Sequence, residues 1–285
     1  MTISLAYQQL LLQLYEIYDN REAANIADLV MEHVTGQRKI DRVVYTDLPV
    51  NEQQQQALKK FSDKLLMHQP VQYVLNEAWF AGMKFYVDEN VLIPRPETEE
   101  LVDWIIKEVR NAKNEVRNLI DIGTGSGCIP ISLKKNLPKL NVKAIDVSEG
   151  ALNVAIKNAM LQASQVYFLR MNFLEKENWS QLGMFDVIVS NPPYVKASEA
   201  SAMNQNVLDH EPHLALFVPD EDALLFYRNI AVFGKSHLNE NGMIFLEINE
   251  ALGDDVVKLY NDYGYQTVLR KDLQNKDRML QARRV

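Results

Sequence analysis

The chain predicts an α/β fold: an open, mostly parallel, seven-stranded sheet covered by helices on both faces, with a small helical domain in front of it. Three observations predict it. From Asn118 onward, short runs of Leu, Ile, Val and Phe alternate with longer amphipathic stretches, the pattern of strands joined by crossover helices. Before Pro70 the apolar residues recur at helical spacing instead. The most distinctive loop motifs each follow directly on an apolar run, and right-handed crossovers gather such loops at the carboxyl ends of the strands, where ligands bind.

Taken in order, a first helix is expected to bury Leu10, Leu11, Leu14 and Tyr18, and a second Ile26, Leu29, Val30 and Val34. Asp19 and Glu22 have capping-box spacing, and Gly36 is a C-terminal stop. A third helix from about Glu52 to Met67 places Ala57, Phe61 and Leu65 on one face. Tyr73 to Leu92 is richer in aromatic and β-branched residues around Gly82, which predicts a short hairpin. Pro94 and Pro96 fix φ around Arg95, so the next helix is expected near Thr98, burying Leu101, Val102, Ile105, Ile106 and Val109. Strands are then expected at Leu119 to Ile122, Val142 to Ile145, Val166 to Leu169, Phe185 to Ser190, Met243 to Ile248, Gln266 to Leu269 and Arg278 to Ala282. These readings divide the chain into a helical domain (1–70), a hairpin linker (71–92) and a sheet domain (93–285).

Composition narrows the function. At 285 residues, 47% hydrophobic and 24% charged, the chain reads as folded and globular. A net charge of −8 offers no long-range attraction to a phosphate backbone, so a protein or small-molecule substrate is expected, with no direct nucleic-acid contact. The single cysteine, Cys128, excludes an internal disulfide and a cysteine-cluster metal site. His33, His68, His210 and His213 show no metal-ligand spacing and His237 falls near a helix end; none is read as catalytic, and no metal is expected. No run reaches the ~20 apolar residues needed to cross a bilayer, and the start lacks a basic n-region. A cytoplasmic protein without membrane contact is the expectation.

Leu119 to Ile129 runs from an apolar strand through Gly123, Thr124, Gly125, Ser126 and Gly127 into a helix. Glycines there let the backbone turn tightly against a ligand, and the helix start presents free amides. The G-x-G-x-G spacing differs from the G-x-G-x-x-G of dinucleotide sites, and no Walker lysine follows. A turn serving helix packing is the duller reading. Asp146 closes the next strand, placed for the two ribose hydroxyls of a nucleoside; helix capping is the alternative, although Ser148 is better placed for that. After the third strand, Asn172 can pair with an adenine edge and Phe173 can cover its face, or they form a turn beside a core aromatic.

The strand Phe185 to Ser190 runs into Asn191-Pro192-Pro193-Tyr194. The prolines remove two amide donors and stiffen the turn, leaving the Asn191 side-chain oxygen and the Pro192 carbonyl as acceptors. A planar NH2 group could donate one proton to each and have its nitrogen held in line with a methyl sulfonium. Tyr194 could pack on the flat substrate. A rigid Asn-Pro turn is the alternative. Together the motifs predict an S-adenosylmethionine-dependent methyltransferase acting on a planar amide or amine nitrogen.

Asn191-Pro192-Pro193-Tyr194 is similar to the motif of amino methyltransferases that modify adenine N6, guanine N2 or glutamine N5. Within that group the chain resembles the release factor glutamine methyltransferases, over nearly its whole length and most strongly from Gln69 onward. The signature comprises Pro70-Val71-Gln72-Tyr73, Phe80, Gly82 and Pro94 to Glu99, then Gly123 to Gly127, Asp146, Phe173 and Asn191 to Tyr194, and later Glu211-Pro212, Ala215-Leu216, Glu247-Ile248 and Asp277-Arg278. The resemblance implies a class I S-adenosylmethionine methyltransferase sheet behind a substrate-recognition helical domain. It implies methyl transfer to the Gly-Gly-Gln glutamine of class 1 peptide chain release factors, with S-adenosyl-L-homocysteine as product. It assigns Gly123 to Gly127, Asp146, Asn172, Phe173 and Asn191 to the cofactor and Asn191 to Tyr194 to the substrate glutamine. A monomer is expected.

The chain departs from the family pattern at Asn76 and Asn249, where glycine is usual, at Asn172 for aspartate, at Leu252 for glutamine, and at Val218-Pro219-Asp220 for a glycine-rich turn. Trp79 to Glu89 is similar instead to a sibling that methylates a ribosomal protein, but the Pro96-Glu97-Thr98-Glu99 form favours the release factor. Adenine or guanine methylation would need a basic groove, a noncatalytic binding protein an impaired site, and a nicotinamide oxidoreductase different glycine spacing. Arg95 and Glu97 read as a local ion pair or a substrate-orienting arginine. Glu247 reads as support for the site or a turn cap, and Cys128 as packing.

Overall fold

The computed structural model describes residues 1–284, with Ala202 through its backbone alone. The chain forms two compact units: Met1–Glu77 with Asn204–His210, and Ala78–Met203 with the chain from Glu211 onward.

The first unit holds α1 (Ile3–Leu14), α2 (Asn20–Thr35), α3 (Lys39–Val44), α4 (Glu52–Leu65) and α5 (Val71–Leu75) around Leu10, Leu14, Ile26, Val30, Met31, Leu58 and Leu65. Asp19 caps α2 by accepting from the amides of Arg21 and Glu22, both at 2.8 Å, and Gly36 closes it at φ 70°. The reciprocal capping box occurs at α4 instead, where Asn51 and Gln54 each accept from the other's amide. Two faces are phased differently from expectation. The buried stripe of α2 runs through Ala23, Ile26, Ala27, Val30 and Met31, leaving Leu29 exposed, and α4 buries Leu58 and Ser62 rather than Ala57. One residue turns a helix by about 100°, so neighbouring apolar residues compete for one face. The short helices α3 and α5 were not anticipated; α5 ends at Asn76, which adopts φ 53°. Asparagine tolerates this left-handed conformation better than most residues, which is why it can stand where the resemblance leads one to expect glycine.

The second unit opens with the hairpin β1 (Ala78–Phe80) and β2 (Met83–Phe85), turned at Ala81 and Gly82. Phe80 and Phe85 are fully buried edge to face. Helix α6 (Pro96–Asn111) starts at Pro96 itself, because proline at the first helical position has no amide bond to lose. It buries Leu101, Val102, Ile105 and Ile106 as expected, and Trp104 besides, whereas Val109, also expected to be buried, is only partly so. There follow β3 (Asn118–Ile122), α7 (Cys128–Asn136), β4 (Asn141–Asp146), α8 (Glu149–Leu161), β5 (Tyr167–Arg170), β6 (Phe185–Ser190), β7 (Val195–Lys196), α9 (Gln205–His210, which groups with the first unit), α10 (His213–Leu216), β8 (Phe217–Val218), α11 (Leu225–His237), β9 (Leu238–Glu247), α12 (Gly253–Asp262), β10 (Tyr265–Lys271) and β11 (Asp277–Arg284).

Seven strands form one sheet in the order β10-β11-β9-β6-β3-β4-β5. The five inner and right-hand strands run parallel, whereas β11 pairs antiparallel with both β9 and β10. Both faces are covered because strand residues alternate between two cores. Ile120, Ile188, Ile244, Leu246 and Leu280 pack with Tyr227, Ile230, Phe233 and Tyr260 of α11 and α12. Leu119, Val187, Val189, Phe245 and Met279 pack with Leu101, Ile105, Ile129 and Ile131 of α6 and α7. Period-two alternation thus puts every inner strand between two apolar layers. The chain moves outward from β3 to β4 and β5, then returns to β6 on the other side of β3. That reversal opens a crevice at the carboxyl ends of the strands, where the motif loops converge.

Candidate active site

Past Ile122 the backbone turns at once, with Gly123 and Thr124 both donating to the Ile145 carbonyl, at 2.9 and 3.0 Å. Gly123, Gly125 and Gly127 take φ of 76°, 53° and 78°, a region costly for other residues. Their surroundings differ. A Cβ on Gly127 would lie 3.0 Å from Ile131 and 3.1 Å from the Ala155 methyl, whereas nothing lies within 4 Å of one on Gly123 or Gly125. Gly127 therefore serves helix packing and the other two border open space. Asp146 Oδ2 accepts from Gly125 N and its Oδ1 from Ser148 N, both at 2.9 Å. Ser148 caps α8 through the Ala151 amide, so Asp146 is not the helix cap. Burial raises the Asp146 pKa and these amides oppose the rise.

A cavity of about 320 Å³ lies over this loop, wholly within the second unit. Gly123, Thr124, Gly125, Ser126, Asp146, Asn172, Phe173, Asn191, Pro192 and Pro193 line it; Gly127 and Tyr194 do not. The side chain of Asn172 accepts from Leu174 N at 3.1 Å and donates to Glu175 at 3.0 Å, forming a turn. Phe173 is buried, stacked on Trp179 at 5.3 Å between ring centres and edge-on to Phe233. Both keep a surface on the cavity.

At the other end, Ser190 Oγ donates to the Ile122 carbonyl at 2.7 Å, tying the ends of β6 and β3 together. Asn191 is partly exposed and its Nδ2 donates to Thr98 Oγ1 at 3.3 Å; Thr98 in turn donates to Glu247 Oε2 at 2.5 Å. Burial pushes the Glu247 carboxyl up to about 7, opposed by the Thr98 hydroxyl and the Arg278 guanidinium. Tyr194 packs against the α11/α12 core, and burial raises its hydroxyl. Arg95 pairs with Glu211, not with Glu97 as one reading of the sequence had it. Glu211, itself buried, also accepts from Ile93 N at 3.1 Å, so one carboxylate holds the segment before α6 in place. Cys128 borders the cavity with its thiol pushed up to about 12 by burial, the state of a packing cysteine.

Known proteins match this arrangement along its length. Residues 6–75 match the PrmC N-terminal domain family and residues 103–214 the methyltransferase small domain family. The chain is 46% identical over 273 residues to the release factor glutamine methyltransferase of Flavobacterium psychrophilum, covering 94% of each, and 44% identical over 272 residues to that of Bacteroides thetaiotaomicron, covering 95% of this chain and 96% of the other. The chain belongs to the release factor glutamine methyltransferase family. A crystal structure of a methyltransferase from Pyrococcus furiosus shares the fold, with a TM-score of 0.51 and 18% identity, covering 78% of this chain and 96% of that one.

Sequence reasoning missed several residues that border the cavity of this family member. Thr98 enters the sequence reading only as part of the Pro94 to Glu99 signature and as the start of a helix, with no role at the site, and Phe226, Leu214 and Met171 are given none. Asp121 lies beneath the loop and does not line the cavity, although an acid near the end of an apolar strand before a glycine loop is a signal. It is fully buried, and burial pushes its pKa up to about 7, opposed by the Thr124 hydroxyl. Among the described residues no cluster of His, Cys, Asp and Glu could hold a metal ion, and no helix is long and apolar enough to cross a membrane.

Proposed function

We propose that the chain transfers a methyl group from S-adenosylmethionine to the side-chain amide nitrogen of the glutamine in the Gly-Gly-Gln motif of class 1 peptide chain release factors. The observation that carries this reading is the single cavity shared by the glycine loop, Asp146 and the Asn191-Pro192-Pro193 turn. Membership of the family supports the substrate.

The residues present suit the cofactor. The open space beside Gly123 and Gly125 admits a ligand against the backbone, and Asp146, satisfied by two amides on one side, retains lone pairs for ribose hydroxyls. Asn172 would face the adenine edge and Phe173 its ring. When bound, S-adenosylmethionine supplies an electrophilic methyl group on sulfonium.

An amide nitrogen is a poor nucleophile because its lone pair is delocalised. Asn191 Oδ1 and the Pro192 carbonyl oxygen would accept the two glutamine N–H groups, stabilising positive charge as it develops on nitrogen more than they stabilise the neutral amide. Pro192 and Pro193 hold that geometry without competing donors, and the mostly apolar walls exclude water. Once the nitrogen has become cationic it gives up one proton to solvent as the site opens, so no histidine base is required. S-adenosyl-L-homocysteine is the expected product. We place the reaction in the cytoplasm, where release factors act, and carried out by a monomer.

The test is mass spectrometry of purified release factor, and separately of a ribosomal protein substrate of the sibling enzyme, after incubation with this protein and S-adenosylmethionine. One added methyl on the Gly-Gly-Gln glutamine, lost with Asn191→Ala, is the expected result. Methylation of the ribosomal protein alone would move the substrate, and transfer to neither would overturn the reading.

A further inference from the structure

Asn191 stands one residue beyond β6, and the register that pairs Ser190 with Leu246 places Glu247 beside it at the end of β9. Thr98, in the first turn of α6, joins them. Thr98 and Glu247 are 3% and 2% exposed, so water does not compete for their polar atoms. The chain runs in one direction: Asn191 Nδ2 donates to Thr98 Oγ1, and Thr98 Oγ1 donates to Glu247 Oε2.

That direction follows from the chemistry of the three groups. Above its pKa of about 7, the state that Thr98, Arg278 and Asn191 all favour, Glu247 is a carboxylate, which accepts and cannot donate. The threonine hydroxyl has one proton, which Glu247 takes, so the hydroxyl offers Asn191 lone pairs alone. The side-chain amide of asparagine has an NH2 end and an oxygen end of nearly equal size, and packing alone scarcely distinguishes them. Thr98 in this state accepts the NH2 end, which turns the oxygen toward the cavity that Asn191 lines.

We propose that Glu247 and Thr98 are positioning residues that fix which end of the Asn191 amide faces the substrate. The inference rests on the reading of Asn191 as acceptor for the glutamine NH2 group. With the amide reversed, its NH2 would meet the substrate's NH2, donor against donor, and the stabilising contact would become a repulsive one. Glu247 thus acts on the reaction without touching it. Five other charged or titratable groups act electrostatically on Glu247: Arg278 of β11, Glu97 of α6, Tyr194 after β6, Tyr227 of α11 and Cys128 of α7, and the Asn191 amide also favours its ionised form directly. None of the five stands between Thr98 and Asn191 in the hydrogen-bond chain.

The test compares Thr98→Val, Thr98→Ser, Glu247→Gln, Asn191→Ala and the double variant T98V/N191A in the full chain. Initial rates with purified release factor and radiolabelled S-adenosylmethionine give kcat and KM, titration calorimetry gives cofactor affinity, and melting curves report folding. Expected are kcat values about tenfold lower in T98V and E247Q, the scale of one charge-assisted hydrogen bond, with cofactor affinity within about twofold of wild type. T98S, which keeps the hydroxyl, retains most of the wild-type rate. T98V costs nothing further in the N191A background, because the group it orients has gone. A wild-type kcat in folded T98V and E247Q overturns the proposal, as does an equal loss from T98V with and without Asn191. Should T98V not fold, the isosteric E247Q decides by the same rates. A wild-type rate in N191A would sink the reading of Asn191 itself, which sets that failure apart from a failure of the positioning chain.

Discussion

Replacing single glycines of the loop separates its two duties. Alanine at Gly127 keeps a φ of 78°, which costs roughly 1–2 kcal/mol for a residue with a Cβ. Its methyl would also sit 3.0 Å from Ile131 and 3.1 and 3.3 Å from the Ala155 side chain and backbone. Ala155 is fully buried in α8, so the helix must shift, at a typical overpacking cost of about 1–3 kcal/mol. Gly127→Ala is therefore expected to lose about 2–4 kcal/mol of stability. Gly125→Ala faces the backbone cost alone, since nothing lies within 4 Å of its Cβ, and the narrower choice of unfolded conformations returns roughly 0.4–1 kcal/mol. Its net loss is expected at about 0–1.6 kcal/mol, and because the same return applies to Gly127→Ala, the two variants should differ by the overpacking cost of about 1–3 kcal/mol. The Gly125 methyl would instead project into the cavity and weaken S-adenosylmethionine binding by about tenfold or more. Urea denaturation of the ligand-free protein gives the first pair of numbers and titration calorimetry the second. Equal destabilisation by the two variants, or wild-type cofactor affinity in folded G125A, would refute this division of labour.

Three further outcomes are expected. Asp121 carries a folded-state pKa raised to about 7 from its usual 3.8, so the native state binds an extra proton between those values and stability falls as pH rises through that window, by about 1.4 kcal/mol per unit. Asp121→Asn should flatten the decline in ligand-free melting temperature between pH 4 and 7; an unchanged slope would disprove it. Glu211→Ala leaves the Ile93 amide and the Arg95 guanidinium without their shared acceptor, and should cost about 3 kcal/mol by denaturation, while Arg95→Ala, which leaves the buried Glu211 carboxylate without its counter-ion, should cost at least as much. Asp146→Ala removes the acceptor held by Gly125 and Ser148; it should weaken S-adenosylmethionine binding at least about tenfold while the protein still folds, and unimpaired calorimetric binding would remove Asp146 from the cofactor site.

The five parallel strands were legible because each carries a short run of apolar residues, and in Phe185 to Ser190 even the boundaries coincide with the residues read from sequence; β10 and β11, which mix in polar residues, were read more narrowly than they are. Their lengths were less legible. Strand β9 starts at Leu238, five residues before the expected Met243, because the irregular segment through Asn241 and Gly242 hides its start from a periodicity argument. The helical faces were read one residue out of phase at Leu29 and Ala57, where an apolar residue had an apolar neighbour and local pattern could not choose between them. At Asn172 and Phe173 the sequence left two readings, and the structure combines them: a turn residue and a core aromatic that both border the cavity.

What the sequence by itself determined are features encoded within a few neighbouring residues: strand, glycine turn, helix cap, and a proline-stiffened loop with two free acceptors. The identity of Asp146 and Asn191 as candidate site residues belongs to that class, since each closes a strand whose carboxyl end must face the crevice. Tertiary structure alone decided the partners of those residues. Thr98 meets Glu247 across 149 positions of chain and Asn191 across 93, and Arg95 chose Glu211 over the nearby Glu97. Such choices depend on the order in which strands lie in the sheet and on the way α6 crosses it. Those are properties of long-range packing, in which many distant residues must be buried together, and no local pattern carries them.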